Sequence, residues 1–116
     1  MRTIIAGSRN IIDSYRAVEQ ATAESGFDIS SVISGTARGI DEAGEAWAAD
    51  NMIACHKYPA DWKAHGKSAG YKRNQQMAEN ADALIAIWDG ESKGTKHMID
   101  IAERKGLKVF VYKYHE

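Results

Sequence analysis

Three strings in this chain join glycine to small hydroxyl residues and cations at the point where an apolar run ends. They are Gly7-Ser8-Arg9-Asn10, Ser34-Gly35-Thr36-Ala37-Arg38-Gly39-Ile40-Asp41 and Gly90-Glu91-Ser92-Lys93-Gly94-Thr95-Lys96. The chemistry that suits them is anion binding. Backbone N–H groups in a glycine-rich strand-to-helix turn lack internal partners, and the helix dipole adds partial positive charge at that end. Hydroxyls add donors, and a guanidinium grips phosphate or carboxylate through two bonds at once. On this reading Gly7, Ser8, Ser34, Gly35, Thr36, Gly94 and Thr95 form a phosphate cradle, and Arg9, Arg38 and Arg73 neutralise the ligand. Each arginine also suits a solvated surface, and one glycine turn alone merely reverses a chain.

Other residues could complete such a site. Asp41 either caps a helix start or accepts hydrogen bonds from a ribose. Trp62, Trp88 and Tyr71 fall beside loops and can stack on a base, whereas Trp47, among alanines on a helix face, reads as core. His97 falls in the first turn of the last helix, near Thr95. His56, His65, His97 and His115 show no metal-ligand spacing, so no metal is expected. The glycine spacing departs from both the dinucleotide fingerprint G-x-G-x-x-G and the Walker A pattern, and Gly94-Thr95-Lys96 is in the wrong order for a P-loop, which excludes an ATPase of that type.

The elements that must position these residues follow from hydropathy. Arg2 to Ala6, Ile29 to Ile33, Met52 to Tyr58, Ala83 to Trp88 and Lys108 to Tyr112 read as strands. Helical spacing covers Ile11 to Ser25, Ile40 to Asn51, Tyr71 to Asn80 and Thr95 to Lys105, with Met77 facing inward and with Gly26 and Gly106 as helix stops. Pro59 to Gly70, polar and holding the sole proline, reads as a loop of functional length. Leu84-Ile85-Ala86-Ile87 is a continuous apolar run, which suggests the sheet centre. Strict strand–helix alternation predicts an α/β fold, a Rossmann-like three-layer α/β/α sandwich around a five-stranded parallel sheet. In such sheets ligands lie beyond the strand carboxyl ends, where all three glycine turns fall.

Composition narrows the partners. The 116 residues suit a single domain over 1–116, 44% hydrophobic and 27% charged, with a formal net charge of −1 that draws neither nucleic acid nor an anionic membrane globally. No apolar run reaches the length of a membrane span, and the first residues read as a strand rather than a signal peptide, so a cytoplasmic protein without membrane contact is expected. Cys55 is the sole cysteine and reads as a plain buried thiol.

At these residues the chain resembles a known family. GSR at Gly7 to Arg9 and SGTARGID at Ser34 to Asp41 are similar to strings of the DprA/Smf DNA-processing proteins. Tyr71 to Asp100, with Arg73, Met77, Ala81-Asp82-Ala83 and Gly94-Thr95, resembles the Lonely Guy phosphoribohydrolases. Both belong to the SLOG superfamily of Rossmann-like nucleotide binders. The whole chain, including DWKAHGKSAG at Asp61 to Gly70 and GTKHMI at Gly94 to Ile99, looks most like the small YspA-type SLOG proteins.

The resemblance implies a sensor or binding module for a nucleotide or an ADP-ribose-like ligand, with no cofactor. A nucleoside 5'-monophosphate N-glycosidase is the first alternative. Arg73 matches that family's arginine, but Met98 stands where its motif has glutamate, and Trp88-Asp89-Gly90 replaces proline-glycine-glycine. A thioether can neither take a proton nor stabilise a cationic centre by charge. Single-stranded DNA binding is the second alternative, with Lys63, Lys67, Lys72, Arg73, Lys93 and Lys96 beside Trp62 and Tyr71 as a basic, aromatic groove. Relatives of this type pair through helices, so a homodimer is a further expectation, with apolar Ile11 and Ile12 at hand.

Overall fold

A computed structural model describes residues 1–114; His115, considered above for metal spacing, lies outside them. The elements are β1 (Arg2–Gly7), α1 (Ser14–Ser25), β2 (Ser31–Ser34), α2 (Ile40–Asp50), β3 (Ala54–Lys57), α3 (Trp62–His65), a 3-10 turn at Gly66–Ser68, α4 (Ala69–Glu79), β4 (Ala83–Trp88), α5 (Lys93–Arg104) and β5 (Lys108–Lys113). Every strand pair is parallel, in the order β3-β2-β1-β4-β5. The fold is the expected Rossmann-like α/β type.

Alternation along the strands divides the core between the two faces of the sheet. On one side Ile4, Ala6, Leu84 and Ala86 meet Met77 and Ala78 of α4 and Met98, Ile99, Ile101 and Ala102 of α5. On the other, Ile5, Val32, Ile85 and Ile87 meet Val18 and Ala21 of α1 and Ile40, Ala43 and Ala48 of α2. A strand buried on both faces has no polar side to show, which is why β4 reads as an unbroken apolar run.

Interior and middle are nevertheless different positions. The middle strand is β1, not β4, because β5, with exposed Lys108, Val111 and Lys113, occupies the edge beyond β4. After β1 the chain builds outward through β2 and β3, then returns to place β4 on the other flank of β1. That reversal opens a crevice at the carboxyl ends of β1 and β4.

Three boundaries differ from expectation in ways that shape this crevice. Helix α1 starts at Ser14 rather than Ile11. Asp13 before it is left-handed (φ 58°), and the Ser14 hydroxyl donates to the Ile11 carbonyl at 2.9 Å, so Ile11 plugs the core from a turn while Ile12 points outward. The segment from Pro59 to Gly70 is not a plain loop: the Asp61 carboxylate accepts from the Ala64 N–H at 3.1 Å and nucleates α3, and α4 begins at Ala69. Strand β3 is only four residues long, at the sheet edge, with Cys55 half-buried rather than buried. No helix of the described residues is long and apolar enough to cross a membrane.

Candidate functional site

The crevice widens into a cavity of about 590 Å³, inside the usual size range of small-molecule sites. All three glycine turns reach it: Gly7, Ser8, Arg9 and Asn10 from the end of β1, Ala37 and Asp41 from the β2–α2 connection, and Asp89, Glu91, Ser92, Gly94 and Thr95 from the β4–α5 connection. Helix α4 closes a further wall with Arg73, Asn74 and Met77, and Trp62, Lys67 and Tyr71 stand at the mouth. Met98 lies on the floor, 1% exposed.

The glycines play unequal parts. A Cβ on Gly7 would stand 2.3 Å from the Ile87 carbonyl and 2.8 Å from Ile40, so packing between β1, β4 and α2 already demands glycine there. Gly39, at φ 79°, would drive a Cβ into the Arg9 backbone at 2.8 Å, so it lets the first two turns touch. A Cβ on Gly94 would meet nothing within 4 Å. Its backbone lies open to the cavity.

Gly94 also sits in the first turn of α5, where donors are in excess. The Asp89 carboxylate accepts from the N–H groups of Glu91 (2.8 Å) and Ser92 (2.9 Å), which holds its pKa below the ordinary carboxylate value. The Ser92 hydroxyl accepts from the Thr95 N–H at 3.4 Å. The N–H groups of Lys93 and Gly94 have no hydrogen-bond partner among the described residues. Unpaired donors at the positive end of a helix favour an anion.

Arg73 binds the walls together. Its Nη1 donates to the Gly35 carbonyl of the second turn and its Nε to Asn74 Oδ1 at 3.1 Å. Asn74, 6% exposed, donates in turn to the Gly94 carbonyl at 3.3 Å and to His97 Nδ1 at 3.1 Å. A Cβ on Gly35 would lie 2.7 Å from Arg73 Nη1 and 2.9 Å from Asp41 Oδ2, so a side chain there would displace the ends of both. Burial lowers the Arg73 pKa, with Arg9 adding to the effect and Asp41 opposing it.

Asp41 is the most perturbed acid of the cavity wall. It is 5% exposed, and burial pushes its pKa from 3.8 to about 6, with Glu45 adding to the rise. The Ala37 N–H, donating to Oδ2 at 3.1 Å, and the charges of Arg73 and Arg9 pull the other way. It is not the N-cap of α2, which is Gly39.

Of the residues singled out from sequence, Gly7, Ser8, Arg9, Asp41, Trp62, Arg73, Gly94 and Thr95 line this cavity; Ser34, Gly35, Thr36, Arg38, Trp88 and His97 do not. Ser34 is fully buried, its hydroxyl donating to Glu45 at 2.6 Å and accepting from the Thr36 N–H at 3.1 Å. Thr36 is left-handed (φ 65°) and lies outside the lining, although its neighbour Ala37 belongs to it. Arg38 is exposed outside it. Trp88 packs on the α4–α5 side of the core, its Nε1 donating to the Ser92 carbonyl at 3.1 Å and its ring 5.4 Å beneath Lys113 Nζ. His97 stands one layer behind, 4.3 Å from the Tyr71 ring, and burial lowers its pKa. Asn74 was missed because a lone asparagine inside a helix has no spacing to betray it; its place one residue after Arg73 is the sole signal.

Comparison with known proteins agrees with this architecture. Over 95% of its length the chain superposes on 49% of the chain of DNA processing protein A (DprA) from Streptococcus pneumoniae, with TM-score 0.77 and 19% identity, a likeness of fold. It thus spans about half the length of that protein. It is 36% identical over 84 residues to the Gene 61 protein of Mycobacterium phage D29, covering 67% of each chain. Residues 1–65 match the family described as YAcAr, the YspA, cpYpsA-related SLOG family, and the chain belongs to it.

Proposed function

We propose that this protein binds a nucleotide or nucleotide-derived metabolite in the crevice between β1 and β4, as a sensor or binding module. The observation that carries the reading is the convergence of three strand-end turns on one cavity that combines the unpaired Gly94 N–H at the start of α5 with half-buried Arg73. Phosphate suits the α5 end of the cavity, and exposed Trp62 and Tyr71 at its mouth suit a base.

The lining charges limit how much phosphate is welcome. Arg9, Lys67 and Arg73 are matched by Asp41, Asp89 and Glu91, so the formal sum is zero. One or two phosphates fit that balance better than a triphosphate. Met98 on the floor supplies no proton for glycosidic cleavage, which favours binding without turnover.

Thermal melts with nucleoside 5'-monophosphates, ADP-ribose, NAD and nucleoside triphosphates test the reading. A ligand at a hundred times its Kd adds about 2.7 kcal/mol of stability. Stabilisation by a mono- or diphosphate ligand, lost in Arg73→Ala, is the expected result; no shift with any of them overturns the proposal. Free base accumulating over many turnovers in the same samples would overturn the non-catalytic half.

A further inference from the structure

The cavity holds one acceptor whose chemistry phosphate binding leaves unused. Asp41 Oδ2 accepts from the Ala37 N–H, whereas Oδ1 makes no hydrogen bond among the described residues. No side-chain polar atom sealed from solvent lacks a partner among those residues, so Oδ1 keeps contact with solvent, and the cavity is the space that Asp41 lines. A carboxylate 5% exposed, with one oxygen free toward a ligand space, is costly to keep unless something donates to it.

Phosphate cannot be that partner, since two anions repel. A hydroxyl can. The hydrogen-bond donors of a nucleotide are the ribose hydroxyls and the N–H groups of the base; with the base on exposed Trp62 and Tyr71 at the mouth, the 2'- and 3'-hydroxyls are the donors left for Asp41. From the proposed site of nucleotide binding, on which this step rests, we infer that Asp41 reads the ribose hydroxyls and makes the cavity selective for ribonucleotides over 2'-deoxyribonucleotides.

The selectivity depends on Asp41 being ionised, because a protonated carboxyl has lost part of its accepting capacity. The charged groups that face it are Arg73 from α4, Arg9 from the β1–α1 turn and Glu45 from its own helix. The two arginines hold the ionised form, while Glu45 and burial oppose it. Preference for ribose is therefore present at neutral pH and shrinks as the solution is acidified past the Asp41 titration.

Calorimetric titration of each nucleoside 5'-monophosphate and its 2'-deoxy analogue tests this at pH 7.5 and pH 5.0. The ratio within each pair cancels titration of the phosphate itself. The expected result is a ribose preference of about ten- to hundredfold at pH 7.5, the range of one hydrogen bond to a charged group, and a smaller one at pH 5.0. Asp41→Asn at pH 7.5 should also show the smaller ratio. Should that variant fail to fold, the pH dependence of the wild-type ratio decides alone. Equal affinity for the two sugars in the wild type at pH 7.5 overturns the inference while leaving the nucleotide site intact; no binding of either sugar form overturns both.

Discussion

Burying the Asp41 carboxylate works against stability, and the sign can be derived. Its pKa is about 6 in the folded protein against an ordinary 3.8, so between those values the folded state binds more protons than the unfolded one. Stability therefore falls as pH rises through that window, by up to about 3 kcal/mol from this group alone. Asp41→Asn is expected to raise the melting temperature at pH 7.5 and to change it little at pH 4; a lower melting temperature at pH 7.5 would show that the carboxylate is holding the second turn together. Arg73 and Arg38 make the complementary test of position. Arg73→Ala removes donors to Gly35 and Asn74 along with the buried charge, and should weaken nucleotide binding at least tenfold by calorimetry. Arg38→Ala, in the second glycine turn but outside the cavity, should change affinity less than twofold. Sequence could name both arginines; that Arg73 faces the cavity from α4 while Arg38 is left exposed outside it is decided by the fold.

At the level of elements, the interior strands β1, β2 and β4 were readable because burial on both faces leaves an apolar signature that little else in the chain imitates. Their order was not, since Ile5 and Ile85 are equally buried and hydropathy cannot say which strand has two long neighbours. Helix α3 escaped notice because four residues carry no periodicity, although Asp61 and the Ala64 N–H it caps stand at the spacing of an N-cap. The glycine turns were legible as turns, but the reason for each glycine lies in three dimensions. Gly7→Ala must displace the Ile87 carbonyl or Ile40, so chemical denaturation should show a loss of at least about 1 kcal/mol, as in overpacked cores. Gly94→Ala meets no atom and gains helix propensity, so its stability should hold or rise by up to about 1 kcal/mol. Nucleotide affinity should nonetheless drop, because the new methyl stands in the space that a phosphate needs. If Gly94→Ala bound every ligand as the wild type does, the α5 end of the cavity would not be the phosphate site.

For the molecule as a whole, charge separates nucleotide binding from its main rival. Lys67 stands at the cavity mouth with Trp62 and Tyr71, and exposed Lys63 and Lys72 on the same α3–α4 segment and Lys96 in the first turn of α5 are the further cations that a groove for single-stranded DNA would draw on. Asp89 and Glu91 line the same cavity, and the chain carries a net charge of −1. A polyanion lying across that rim would meet both signs. The two readings diverge in their response to salt. Binding that engages five cations on single-stranded DNA loses about two orders of magnitude in affinity between 50 and 200 mM salt, through release of condensed counterions. A nucleotide with one or two phosphates has no condensed ion atmosphere to release, and inside a partly enclosed cavity its contacts are only moderately screened. Over the same salt range its affinity should fall less than about threefold. Measuring both ligands on one preparation is decisive: steep salt dependence with oligothymidylate, together with no shift from any mononucleotide, would transfer the function to the lysine rim and leave the cavity as a fold feature.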